Sequence, residues 1–419
     1  MIEEYSDDEI TEGDGNSEIA LLGSFTNASS NEHLDLSHEP ENYDSGLDME
    51  SHTTFDKTIA AKHEYLGTDL EDVGGRIFHD EGSIIWLPIL MELEVVLVPG
   101  QTLPLTAFYP PTVSMFRKII SKDKTFGVVC VNNFAQYGTT AEIFQYQENS
   151  DLAGFKIKAK GRQRFKLLEQ KHQSPGLLSG KVLILPEIEL VDPLQAIRLL
   201  SLDRFRKNSS TKLKIRSFDG ASFSWPSCIY KQYDIKFLVK KISEKLEVFQ
   251  TDLEGSVLPT DPLDLSYWVT QCLPIDRENR VKLLSFDSAL ERLQYALTLI
   301  DKCQKLYCAS CGNCIADRKD IFSMSVEGPQ GMYCNPGGYV HDVITVYHGM
   351  GMSVEAEAPT TKYSWFPGYG WIISQCSNCD SHIGWLFTAM KSNLKPVKFW
   401  GLSKKSITTH QKSFLGSLV

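Results

Sequence analysis

Cys308-Ala-Ser-Cys311 and Cys376-Ser-Asn-Cys379 enclose the stretch Ser364-Trp-Phe-Pro-Gly-Tyr-Gly-Trp371, and this segment decides the C-terminal fold. Two CxxC turns can bring two sulfurs each to one metal, which is what a closed tetrahedral zinc site requires. The 64 residues between the pairs exceed what a short zinc ribbon uses. One structural Zn2+ on Cys308, Cys311, Cys376 and Cys379 is therefore expected to staple a whole β-domain. Cys314 extends the first pair to CxxCxxC, so the residues alone leave open which adjacent couple binds. Trp365, Trp371 and Trp385 are either an ordinary aromatic core or a cage. The Gly- and Pro-rich setting favours a cage, since loops carry sites more often than cores do. Such a box suits a flat uncharged ring or, by cation–π attraction, a quaternary ammonium.

Outside this segment the chain divides by composition. Residues 1–50 hold fifteen Asp and Glu and no Lys or Arg, so the remaining 369 of the 419 residues carry about +4 of a total charge of −11. A tail this acidic and this poor in aromatic residues cannot offset the entropy of ordering, so residues 1–80 are expected to be a disordered acidic tail. No dense basic patch argues for nucleic acid. No apolar run of about 18 residues argues for a membrane span. The first residues have no secretory pattern, so the ten cysteines point to a reduced compartment, and to metal or free thiols over disulfides.

Order is expected to begin near Ser83. Short β-type runs broken by Pro and Gly, with one helix over Val113–Ile120, predict a β-sheet or partly closed barrel over residues 84–186. Residues 187–304 change to helical spacing. Tyr230–Phe249, Asp264–Cys272 and Ile275–Leu284 predict helices, and Asp287 is placed to cap another. Residues 205–228 are polar and predict a loop. The fold class is thus α+β and multidomain, with parts at 1–80, 84–304 and 303–412.

Enzymatic signals are thin. Gly176-Leu-Leu-Ser-Gly180-Lys181-Val182 lacks both the spacing and the hydroxyl of a phosphate loop. Four cysteines would close a zinc site to catalysis, and no cysteine follows Cys379 to act as a nucleophile. His341 and His382 are not needed as ligands and are read as structural. No activity of the chain's own is expected.

Asp320-Ile-Phe322, Asn335-Pro-Gly-Gly-Tyr-Val-His341, Ser381-His-Ile-Gly-Trp385 and Lys398-Phe-Trp-Gly-Leu402, together with the Ser364–Trp371 stretch, resemble the thalidomide-binding (CULT) domain of the cereblon family. Val98-Pro-Gly-Gln-Thr-Leu-Pro-Leu105 and Gly161-Arg-Gln-Arg-Phe165 are similar to the Lon N-terminal domain, without the ATPase and protease parts of Lon. The resemblance runs from about Ile84 to the C-terminus. It implies the substrate receptor of a cullin 4 RING ubiquitin ligase in the cytoplasm and nucleus. The helical part would tether it to a β-propeller damaged-DNA-binding adaptor. It also implies zinc on the four cysteines named above. The implied pocket has walls at Trp365, Trp371 and Trp385, a base at Phe387 and a rim at Asn335 and Tyr363. Its ligands would be cyclic imides, including those at the C-termini of substrate proteins. Tyr363 departs from the His of vertebrate members, but the family holds the imide there largely through the backbone, so binding is expected to survive. The competing reading is a free-standing reader of methylated lysine.

Overall fold

The computed structural model describes residues 54–410, apart from 76, 92, 131–135, 149–153, 175–176, 247–257 and 356–357. The disorder expected for residues 1–53 lies outside the described residues. From Thr54 onward the expectation is corrected, because order begins well before Ser83. Helix α1 (Lys57–Lys62) is capped by Asp56, whose carboxylate accepts from the Thr58 N–H at 3.0 Å. Phe55 is buried against Phe366 and Tyr369 of the C-terminal part, and the Thr54 hydroxyl donates to the Asn393 carbonyl at 2.7 Å. Composition misleads here because one aromatic anchor and a few backbone bonds tie the segment to a distant surface. Strand β1 (Glu71–Asp72) follows.

Six further strands form the first layer: β2 (Ile84–Leu90), β3 (Thr102–Ala107), β4 (Thr125–Val129), β5 (Tyr137–Glu148), β6 (Phe155–Ser174) and β7 (Leu177–Ile184). Their order is β1-β5-β4-β2-β7-β6-β3, and an added β5–β6 pairing closes β5, β4, β2, β7 and β6 into a barrel. The long β6 makes closure possible: its first residues pair with both β3 and β5, and its later residues with β7. Helix α2 (Pro110–Ile120) starts with prolines, whose missing N–H costs nothing in a first turn, and turns Met115, Phe116 and Ile119 onto the barrel core.

The helical part departs from expectation in three places. Residues 205–228 form α3 (Asp203–Arg206), α4 (Ser209–Ala221) and α5 (Ser227–Tyr230) instead of a loop. Ion pairs hold α4: Arg206 grips Asp219, and Arg216 bridges Asp192 at 2.8 Å and Asp234. A helix fastened by charge leaves no apolar stripe to read. The next helix, α6 (Ile235–Leu246), begins later than Tyr230 because Asp234 accepts from the Lys236 N–H at 3.1 Å; Phe249 lies outside the described residues. Then come α7 (Pro262–Cys272), α8 (Arg277–Ser285) and α9 (Ala289–Ile300), each with an acceptor at its N-cap. The cap of α9 is Ser288, not Asp287, which instead faces the Arg164 guanidinium at 3.4 Å.

The C-terminal part is all β. Strands β8 (Lys305–Cys308), β9 (Cys314–Asp317), β10 (Gln330–Cys334), β11 (Val340–Val346), β12 (Met352–Val354), β13 (Tyr369–Cys376), β14 (His382–Ala389), β15 (Lys398–Ser403) and β16 (Ile407–Thr408) make two sheets. Their orders are β10-β11-β15-β14-β13-β12 and β16-β8-β9. The core crosses the boundaries between parts: Met332, Cys334 and Val340 pack with barrel residues, while the α7–α9 core continues into Ile315, Cys376 and Ile383.

Buried arginines lock these parts together. Arg164 of β6 donates to Glu187 at 2.7 Å, to the Tyr267 hydroxyl at 2.8 Å and to the Leu284 carbonyl at 2.9 Å. Arg292 of α9 holds the other oxygen of Glu187 at 2.5 Å. Removing the shared carboxylate leaves the buried Arg292 without a carboxylate partner and Arg164 with only the longer contact to Asp287. Glu187→Ala is therefore expected to lower the unfolding free energy by about 3–5 kcal/mol in urea titration, whereas Glu189→Ala at an exposed position changes it by under about 0.5 kcal/mol.

Candidate functional site

The two CxxC turns adopt the same local geometry. The N–H of the residue after each second cysteine donates back to the carbonyl of the first, Gly312 to Cys308 and Asp380 to Cys376, both at 2.9 Å. That residue must then take a positive φ, +73° at Gly312 and +54° at Asp380. Glycine accepts this freely, and Asp is among the few other residues that tolerate it. The knuckles aim their sulfurs at one another: the Sγ atoms of Cys308, Cys311, Cys376 and Cys379 all lie within 4.8 Å. Cys308 and Cys379 are 3.7 Å apart, and Cys311 and Cys376 are 3.5 Å apart. A tetrahedron with Zn–S bonds of about 2.3 Å has edges of about 3.8 Å, so the donor set fits. These separations are far beyond an S–S bond. Cys314 instead begins β9 outside the cluster, which resolves the choice within CxxCxxC.

The chemistry of the four sulfurs agrees with the geometry. Burial pushes the Cys308 thiol up to about 11, while a hydrogen bond from the Asn378 side chain pulls Cys311 down to about 6. Neighbouring thiols ionise at one another's expense until a cation offsets the charge, and Zn2+ would hold all four as thiolates. The Asn313 amide donates to Cys376 Sγ at 3.6 Å and to the Gly351 carbonyl at 3.0 Å, fixing the sulfur from outside the cluster. Because the ligands come from both ends of the domain, metal binding is also folding energy. Cys311→Ser is expected to lose the metal and unfold the C-terminal part. Cys314→Ser should keep one zinc per chain by elemental analysis.

The second knuckle sets the register of the strands beyond it. Pairing of β13 with β14 places Trp371 opposite Phe387 and Ile373 opposite Trp385, so these four share one face. Trp385 also lies opposite Gly401 of β15, where a Cβ would come within 2.9 Å of the Phe387 ring. The loop before β13 lays Trp365 over this face. Trp365 and Trp385 meet edge to face, 4.7 Å between centroids at 76°, with Phe387 6.4 Å from Trp365. Trp365 stacks on Tyr333 at 5.3 Å, and its indole N–H donates to the Cys334 carbonyl at 3.3 Å. Trp371 is half-buried, and its N–H donates to the Lys362 carbonyl at 3.0 Å. That bond ties the wall to Tyr363, an exposed residue at φ +59°. Asn335 accepts from the Tyr339 N–H at 2.8 Å and, with Tyr363, lines a cavity of about 250 Å³. Tyr65, Leu66, Thr106, Phe108 and Lys156 line its other side, and none of the three indoles lines it.

Two histidines read as merely structural in the sequence belong to the same aromatic cluster. His341 of β11 packs against Trp385 at 4.9 Å and Trp365 at 5.5 Å, and His382 packs against Trp385 at 4.9 Å. Burial pulls His341 down to about 4, with His382 and Lys405 adding to the shift. The imidazole is therefore neutral at pH 7. His63, buried beside Tyr65 and Tyr333, is likewise pulled down to about 4 by burial. No local pattern announces these roles, because the rings come from three separated strands and a distant helix end.

The unfolded chain protonates such imidazoles near 6.5, but the folded chain only near 4. Between those values the unfolded state binds more protons, so stability falls as pH drops through this window. Thermal melts should show a declining midpoint on acidification, and NMR titration should find both imidazoles neutral at pH about 5.

Residues 86–302 match the substrate-binding domain of ATP-dependent protease La (LON), and residues 305–413 match the family described as Yippee zinc-binding/DNA-binding/Mis18, centromere assembly. Among described residues, no helix is long and apolar enough to cross a membrane. Protein cereblon of Gallus gallus is 42% identical over 376 residues, covering 84% of each chain. Protein cereblon of Danio rerio is 40% identical over 388 residues, covering 86% of this chain and 90% of its own. That of Xenopus tropicalis is 40% identical over 377 residues, covering 84% of each. Such identity extends through the barrel, the helices and the four-cysteine domain alike, and the chain belongs to the cereblon family.

Proposed function

We propose that the protein is a cereblon-type substrate receptor. It presents proteins bearing a neutral cyclic imide to a cullin 4 RING ubiquitin ligase in the cytoplasm and nucleus. The observation that carries the ligand class is the neutrality of the cage. Its indole walls, Trp365 and Trp385, are backed by Phe387 and by the uncharged imidazole of His341. A quaternary ammonium gains from aromatic faces but is usually balanced by a carboxylate, whereas these indoles meet the rings of Tyr333, His341, His382 and Phe387 within an apolar cluster. A flat imide offers apolar faces to the walls and polar edges to the backbone of the Tyr363 loop and to Asn335. Of the two acids that precede the Trp365 loop, Glu355 is exposed, and Glu357 lies outside the described residues.

Exposed apolar surface on the helical part supports the adaptor reading. Val191, Leu200, Leu213 and Trp225 are 68%, 79%, 76% and 56% exposed. A β-propeller adaptor would cover them. Marking substrates then needs no chemistry from this chain, because joining ligase and substrate raises the effective concentration at the target lysine.

Fluorescence titration with a glutarimide and a trimethyl-lysine peptide tests the pocket. The imide should bind the more tightly, and Trp385→Ala should weaken it by at least about tenfold, or about 1.4 kcal/mol. Reconstitution with adaptor, cullin–RING module, E1, E2 and ubiquitin tests the rest. An imide-tagged protein should be ubiquitinated, less so with Trp371→Ala, and Leu213→Asp/Trp225→Asp should abolish adaptor capture. Tighter ammonium binding would favour the methyl-lysine reader instead.

A further inference from the structure

One of the buried arginines has an unfinished set of bonds. Arg280 is 2% exposed; Nη1 donates to Asp342 at 2.6 Å and Nη2 to the Gln271 carbonyl at 2.9 Å, while Nε has no partner. Arg280 lines a cavity of about 450 Å³ where all three parts meet: Glu94–Val96 before β3, the start of α8, and the ends of β11 and β15. Four cationic side chains, Arg277, Arg280, Lys404 and Lys405, face three carboxylates there, Glu94, Asp276 and Asp342.

Each carboxylate is already engaged. Glu94 pairs with Lys405 at 2.6 Å and accepts from the Tyr339 hydroxyl at 2.7 Å. Asp342 accepts from Arg280 and, at 2.7 Å, from the Gln330 amide. Asp276 caps α8, accepting from the Asn279 N–H at 2.8 Å. The cations exceed the carboxylates by one, and two of the four have no direct carboxylate partner among the described residues. Arg277 has no ion-pair partner among the described residues. Lys404 donates only to the backbone carbonyls of Leu273, at 3.5 Å, and Ile275. Burial, reinforced by the Arg280 charge, pulls its ammonium down to about 7, so an anion beside it would restore the charge.

We propose that this cavity binds a small phosphorylated molecule, its phosphate held by Arg277, Arg280 and Lys404. The cations lining the cavity exceed its carboxylates by one, so an anion is favoured, and a phosphate offers at least three oxygens to the three donors where a carboxylate offers two. Planar guanidinium groups and a point-like ammonium together match tetrahedral oxygens. The volume exceeds what phosphate alone fills and lies within the range of small-molecule sites. His341 forms part of the wall, but the site is distinct from the aromatic cage and does not depend on the imide reading.

Calorimetric titration of the full-length, zinc-loaded chain tests this with inorganic phosphate, adenosine monophosphate and acetate at constant ionic strength. Saturable binding of phosphate or the monophosphate, with acetate inert, is expected; the tighter of the two tells whether free phosphate or an organic phosphate is the ligand. Arg277→Gln, on a half-buried residue outside the core, and Lys404→Met should each weaken binding by about tenfold or more, with zinc content unchanged. Absence of saturation up to about 10 mM of either phosphate compound overturns the proposal. Unchanged affinity in both variants, or acetate binding equally well, also overturns it.

Discussion

The architecture depends on three guanidinium groups taken out of water. Arg164, Arg280 and Arg292 are among the largest fully buried side chains of the protein, and each sits at a seam between parts. Burying a guanidinium is costly unless its N–H groups are met by carboxylates and carbonyls in fixed positions. Those partners come from other elements. Arg164 and Arg292 share Glu187 and so join the barrel to α7 and α9. Arg280 joins α8 to β11 through Asp342. Continuous apolar cores cross the same seams, and the described residues from Thr54 to His410 belong to one compact unit. Asn335 and Tyr363 share one cavity with Phe108 and Lys156 because of this locking, since these residues belong to different parts.

Metal site and cage are linked by a short covalent path. Strand β13 runs from Trp371 to Cys376, and β14 from His382 through Trp385 to Phe387, with the second knuckle as the turn between them. Four thiolates held on a metal fix that turn, and the turn fixes which residues face each other across the hairpin. A slip of one residue would send Trp385 and Phe387 to the opposite face. Zinc bound there would order the aromatic cluster without touching it, and the N-terminal segment packs on that cluster through Phe55 against Phe366 and Tyr369.

Much of this was legible in the chain. Paired cysteines at CxxC spacing, Gly312 after the first knuckle, and the alternation and helical spacing of the larger elements are local patterns that encode local geometry. A four-thiolate zinc site and the α+β division follow from them, though not the choice of couple within CxxCxxC. Where local signals compete, reading falls short: Ser288 caps α9 because Asp287 is drawn to Arg164, and α4 is fastened by Arg–Asp pairs that look like polar loop.

What the sequence by itself determined was the larger strands and helices, the two cysteine clusters from which the metal ligands come, and the aromatic residues available for a cage. Tertiary structure alone decided which first couple of CxxCxxC binds, that His341 joins the indoles as a neutral ring, and that residues 54–66 belong to the fold. It also decided that Arg277, Arg280 and Lys404 enclose one cavity. The physical reason is range. Capping, turn geometry and periodicity act over a few residues, whereas desolvation and charge pairing depend on groups far apart in the chain that meet only when it has folded.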